Sequence, residues 1–234
     1  MSAASTPVVF IAGQLLTNAL WAPQSRALED RPQVYAGNGA DDTIAGMARR
    51  LLELSPRRFD LVAHAMGGFV AFEVMRQAPE RVRRLALLGT LAPADAPAQT
   101  ERRMGYLKLV EAGRFDEVVE ERLPILVHPD RREDEALIDV VRKMAADTGA
   151  ERFLRQQRAI MGRIDSRRSL AAIACPVLLI MGRQDGIVNQ THQEEMLALL
   201  PNARLEIIEH CGHLSTLERP EAVNALLRDF LQPD

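Results

Sequence analysis

Short apolar runs alternate along the chain with segments whose apolar residues recur at every third or fourth position. Residues 7–12 (PVVFIA), 33–36, 59–63 (FDLVA), 84–88 (RLALL), 177–181 (VLLIM) and 205–208 (LEII) have the length and composition of buried strands. Helical spacing covers residues 43–54, 68–77, 193–200 and 221–231. Strand–helix alternation of this kind predicts a mainly parallel sheet flanked by helices, an α/β fold with strand order 2-1-3-4-5-6.

The alternation breaks once, between residues 93 and 170, where no good strand occurs. Met104, Leu107 and Val110, then Leu137, Val140, Val141 and Met144, fall at helical spacing, and Gly113, Pro124 and Pro129 punctuate the stretch. A single crossover needs far fewer residues, so this segment reads as a helical cap inserted into a core made of residues 1–92 and 171–234.

Composition narrows the function. Twenty-nine Lys and Arg against 32 Asp and Glu leave a net charge of −3 in 234 residues, no global field for nucleic acid or an anionic membrane. No apolar run approaches the ~18 residues of a bilayer span, and the N-terminus lacks a basic, then apolar, leader. Cys175 and Cys211 read as two buried thiols in a reducing compartment, so a cytoplasmic protein is expected. The charged clusters at Arg57-Arg58, Arg81 to Arg84 and Arg131 to Asp134 read as solvated faces, and Gly37-Asn38-Gly39 as a loop rather than a dinucleotide site.

One segment carries chemistry. Leu61-Val62-Ala63-His64-Ala65-Met66-Gly67-Gly68 runs from an apolar strand through small residues into an amphipathic helix. Small side chains at Ala63, Gly67 and Gly68 permit a sharp turn with Ala65 at its tip in a positive-φ conformation. The tip lies at the C-terminal edge of the sheet, where open α/β sheets place ligands. His64 is expected to pack beside the turn.

In these residues the chain resembles the α/β-hydrolase family, whose elbow reads small-x-Ser-x-Gly. Further pieces of that pattern follow in the family's order: Gly182-Arg183-Gln184-Asp185 after one strand, Gly212-His213 after the last. The resemblance implies a triad of the residue at position 65, Asp185 and His213, an oxyanion hole from the N–H groups of Gln14 and Met66, and neither metal nor cofactor. His210, Cys211 and His213 lack the further ligand cluster a zinc site needs. Gly13, Leu15 and Trp21 also fit a Gly-x-Leu-x(5)-Trp pattern of short bacterial members. The departure is Ala65, which removes the nucleophilic hydroxyl. With every other piece present, it reads as a Ser→Ala substitution disabling an enzyme; a nucleophile naturally lost in a small-molecule binding protein is the alternative.

The expected activity is hydrolysis of a small, largely apolar carboxylic ester through an acyl-enzyme. Lactone, thioester, amide or carbon–carbon hydrolysis remains open on the same triad. The expected pocket takes Leu15, Leu16, Trp21 and Leu214 from the core and Phe153, Gln157 and Met161 from the cap, with Met104, Leu107, Leu123, Leu126 and Ile160 as further cap candidates. Such a wall suits an uncharged or single-carboxylate ester. Arg155, Arg158 and Arg163 are candidates for holding that carboxylate, although a surface role is the simpler reading.

Overall fold

The computed structural model describes residues 5–232. Among them runs one six-stranded sheet: β1 (Val8–Ile11), β2 (Gln33–Ala36), β3 (Phe59–His64), β4 (Val82–Leu88), β5 (Val177–Gly182) and β6 (Ala203–Ile208), all neighbours parallel in the order β2-β1-β3-β4-β5-β6. The α-helices are α1 (Ala22–Ala27), α2 (Ile44–Leu54), α3 (Met66–Gln77), α4 (Pro97–Glu111), α5 (Phe115–Leu126), α6 (Glu135–Met161), α7 (Arg167–Leu170), α8 (Gln190–Leu199), α9 (Ser215–Glu218) and α10 (Pro220–Phe230). The order and the two-sided helical cover agree with the sequence pattern. Strand β4 begins two residues earlier than its apolar run, because Val82 pairs with Phe59 while Arg83 turns inward.

The periodicities explain the layers. In β3 and β5 every residue is buried, as expected of central strands covered on both faces. Helix α2 buries Ile44, Met47, Ala48 and Leu51, one stripe at helical spacing, and Thr43 caps it by accepting the Gly46 N–H at 3.1 Å. Arg83 departs from the solvated face expected of its cluster. Its guanidinium donates to both oxygens of the buried Asp60, at 2.8 and 2.7 Å, and Arg31 pairs with the same carboxylate. Asp60 had no sequence signal for this role, since it sits inside an apolar run.

The segment between β4 and β5 is helical, as its spacing predicts, with α6 broken at Gly149. It divides its apolar side chains. Leu123, Leu126, Ile138 and Met144 join the core on one face of the sheet, whereas Tyr106, Val118 and Phe153 form a smaller cluster with Leu15. Met104 and Val140, which share the helical spacing, are exposed. Register then sets the site. Ile11 lies beside Ala63, Ala63 beside Leu87, and Leu87 beside Leu179, so the loops following β1, β3 and β5 emerge at one edge. Ile208, at the end of β6, is level with Gly182. Among the described residues no helix is long and apolar enough to cross a membrane.

Candidate active site

The chain turns from β3 into α3 at Ala65, whose φ of 49° and ψ of −115° lie where a residue with a Cβ is strained. Three hydrogen bonds hold it. Ala65 N–H donates to Leu88 O and Gly68 N–H to Ala65 O, both at 2.9 Å, and the Thr90 hydroxyl donates to Ala65 O at 2.8 Å. Close approach explains the glycines. A Cβ on Gly67 would lie 2.5 Å from Ile11 O, and one on Gly13 would lie 2.9 Å from the Ala65 Cβ. Strain fixed this firmly is characteristic of functional turns.

Gly13 brings the loop after β1 against the elbow. The next residues turn back, with Leu15 at a φ of 62°. Gln156 holds this turn from the cap: its Oε1 accepts the Leu15 N–H at 3.2 Å, and its Nε2 donates to Asn38 Oδ1 at 3.1 Å. Asn38 in turn donates to Gly13 O at 2.6 Å. Neither residue was expected at the site, yet together they fix the turn that carries Gln14. The Gln14 side chain lines the cavity, and its Nε2 is buried without a partner. Met66 opens α3, so its N–H belongs to the helix's first turn and has no acceptor within the helix.

Asp185 and His213 meet as the sequence predicts, Nδ1 to Oδ2 at 2.8 Å. Burial pushes the Asp185 carboxyl up, but the His213 ring and the backbone N–H groups of Val188 and Ile187 outweigh it, and the net shift is downward. Those N–H groups reach Asp185 Oδ1 at 2.9 and 2.8 Å. Asp185 is therefore a carboxylate, His213 Nδ1 must be the donor, and Nε2 is left as a base. The ring lines the same cavity as Ala65 and Met66.

Glu218 organises the histidine loop and was not foreseen. Its Oε1 accepts the N–H groups of Gly212 and Leu214 at 3.1 and 3.2 Å, and its Oε2 accepts that of His128 at 2.7 Å. The His213 N–H donates to Leu126 O at 3.1 Å, tying the loop to the end of α5. Glu218→Ala leaves buried donors without acceptors and should lower stability by roughly 2–4 kcal/mol, read from the urea midpoint at constant m.

His64 packs behind the elbow, as expected. It is fully buried, its Nε2 donates to His213 O at 2.9 Å, and the two ring centroids are 4.8 Å apart. Burial, and then the His213 ring, push it down from 6.5 to about 3. The unfolded chain therefore binds this proton near pH 6.5 and the folded chain only near pH 3. Stability from this group is complete above pH 6.5 and is lost as pH falls towards 3. The full shift corresponds to about 4–5 kcal/mol. His64→Gln, which can still donate to the His213 carbonyl, should flatten the fall in denaturation midpoint below that pH.

The cavity has a volume of about 280 Å³. Gln14, Ala65, Met66 and His213 line its reacting end, and Ile125, Leu126, Ile160 and Val188 supply apolar wall. The remainder is more polar than the sequence suggests: Asp95, Arg102, Arg103, Tyr106, Arg122 and Arg163 all face it. Arg163 thus lines the site, whereas Arg155 donates to Gly39 O and Arg158 is exposed. Most of the expected pocket residues lie elsewhere. Trp21 packs on Phe10 in the core, Leu214 is fully buried in the same cluster, and Phe153 and Leu15 belong to the cap cluster. Gln157 is buried and accepts from Arg103 at 3.0 Å, and Met161 does not reach the cavity lining. Of the other candidates, Leu16, Leu126 and Ile160 line the cavity and Met104 is exposed. Apart from the exposed Met104 and Val140, spacing identified the inward faces but could not tell those turned to the core from those turned to the cavity. Among the described residues no group of three or more His, Cys, Asp or Glu is placed to hold a metal ion.

Comparison with known proteins agrees with this fold. The family model described as alpha/beta hydrolase fold matches residues 17–220. The chain is 30% identical to a putative carbamate hydrolase RutD of Pseudomonas savastanoi pv. phaseolicola, over 84% of this chain and 81% of that protein. It is 28% identical to the pimeloyl-[acyl-carrier protein] methyl ester esterase of Nitrosomonas europaea, over 92% and 91%. The solved structure of a thermophilic esterase from Thermogutta terrifontis, with malate bound, superposes with a TM-score of 0.89 at 27% identity, covering 97% of this chain and 90% of that one. The sheet order and the family match over residues 17–220 agree, and the chain belongs to the α/β-hydrolase fold family.

Proposed function

We propose that this site is that of a hydrolase of small carboxylic esters, acting through an acyl-enzyme on a serine whose place Ala65 occupies. The observation that carries the reading is the Asp185–His213 pair opening onto the same cavity as a strained elbow at residue 65. Esterase and hydrolase names among the relatives support it.

With serine at 65, Oγ attacks the acyl carbon while His213 Nε2 takes its proton. The oxyanion forms against the N–H groups of Gln14 and Met66. The bond to the alcohol breaks, and His213 returns the proton to the leaving oxygen. Water, deprotonated by His213, attacks the acyl-enzyme; the acid leaves and the serine recovers its proton. The cycle draws on side chains, backbone N–H groups and water alone, on a small-molecule substrate, and the composition suits a cytoplasmic setting. As it stands, the chain holds the ester without acylating. No neighbour replaces the missing oxygen. The Thr90 hydroxyl is engaged by Ala65 O, and burial pushes the Cys211 thiol up to about 12.

Ala65→Ser treated with a fluorophosphonate should gain the probe's mass on residue 65, and it should hydrolyse p-nitrophenyl esters. If it is neither labelled nor faster than Ala65→Ser/His213→Ala, the reading fails. Ala65 itself favours a second reading, a binding protein with a naturally lost nucleophile; an alanine codon in the source gene together with an inert Ala65→Ser would support that one.

A further inference from the structure

The cavity carries an imbalance that the triad does not use. Four guanidinium groups, on Arg102, Arg103, Arg122 and Arg163, face it together with one lining carboxylate, Asp95. Asp95 is shared: Arg103 Nε reaches its Oδ2 at 2.6 Å and Arg163 Nη1 its Oδ1 at 2.7 Å. Arg122, half-buried, and Arg102, exposed at the rim, have no carboxylate partner among the described residues. In a protein whose net charge is −3, the lining of this cavity thus carries an excess of positive charge.

The unused hydrogen-bonding capacity has the same sign. Among the buried side-chain atoms of the lining residues that lack a partner, three are donors, Gln14 Nε2, Arg122 Nε and Arg163 Nε. The one acceptor among them, Asp95 Oδ1, already faces Arg163. Arg122 has Tyr106 beside it in place of a carboxylate. Its guanidinium lies 5.8 Å from the Tyr106 ring centroid. Burial, and the like charges of Arg103 and Arg102, push it down to about 10 despite Tyr106, so it remains charged at neutral pH. Keeping a cation in such a place costs stability unless an anion completes it.

We propose that the cavity recognises an ester that also bears a carboxylate, a half ester of a small dicarboxylic acid, with Arg122 and Arg102 holding the carboxylate while the ester lies at Ala65. The planar guanidinium fork matches a carboxylate in two-point contact. The inference deepens the ester-hydrolase reading and rests on it. It also revises the largely apolar pocket that the sequence suggests, while keeping the single carboxylate.

The test reads binding, which needs no turnover. Isothermal titration of the protein with alanine at 65 compares monomethyl adipate with dimethyl adipate. The half ester should bind roughly tenfold tighter or more. In Arg122→Gln that preference should shrink towards one, and Arg122→Lys should restore part of it. Equal affinities in the parent protein, or an unchanged preference in Arg122→Gln, overturn the inference. Displacement of the half ester by inorganic phosphate as readily as by glutarate overturns the carboxylate assignment. The parent comparison stands even where a variant does not fold. Selective binding beside an inert Ala65→Ser would remove the hydrolase reading and leave the anion site; hydrolysis of neutral esters without preference would do the reverse.

Discussion

Ala65→Ser is expected to raise ester hydrolysis by at least ~10³-fold and by as much as ~10⁶-fold. An oxyanion hole and a bound substrate retain ~10³–10⁴-fold catalysis over water when a triad member is missing, so the parent protein should not be fully inert. The upper bound is the typical cost of losing the nucleophile in such enzymes. The substitution adds one oxygen to a Cβ already in place. Backbone strain at a φ of 49° is the same for alanine and serine, and the three hydrogen bonds at the elbow involve none of the new atoms. Stability should therefore change by less than about 0.5 kcal/mol. His213 Nε2 is free to accept the new proton because Nδ1 is committed to Asp185. Steady-state rates on p-nitrophenyl acetate and butyrate, with Ala65→Ser/His213→Ala as the reference, decide the matter; matched rates in the two would show that the imidazole does not activate residue 65.

The reacting end of the site was legible in the sequence because its parts are tied to strand ends. A small-residue turn after an apolar run, an acid after Gly182 and a histidine after Gly212 follow from local chain geometry, and register delivers them to one edge. The other end was not legible. Arg122 sits on α5 and Arg163 just beyond α6, in a segment whose periodicity shows which residues turn inward but not what they turn towards. A buried arginine there looks like a solvated one in sequence, and the pairing of Asp95 with both Arg103 and Arg163 spans positions no local rule connects. The same limit hid Gln156, Asn38 and Glu218, whose function is to satisfy backbone groups of distant loops. It also placed Trp21, Phe153 and Leu214 in the pocket wall, since an apolar residue near a motif carries no mark distinguishing core from cavity.

Asp185→Asn, made in the Ala65→Ser background, should lower kcat by about 10⁴-fold with little change in KM. The reason lies in which hydrogen bonds survive. Asparagine Oδ1 can still accept from Ile187 and Val188, now 2.8 and 2.9 Å away, so the loop keeps its shape. The amide nitrogen then faces His213 Nδ1, where the carboxylate oxygen stood at 2.8 Å, and it can only donate. That forces the imidazole proton onto Nε2, turning the base into a donor towards the serine. The imidazolium that forms in the transition state also loses the carboxylate that stabilises it. A merely structural role for Asp185 would instead appear as a lower melting temperature with kcat held within about tenfold, so thermal denaturation and steady-state kinetics measured on one preparation separate the two explanations.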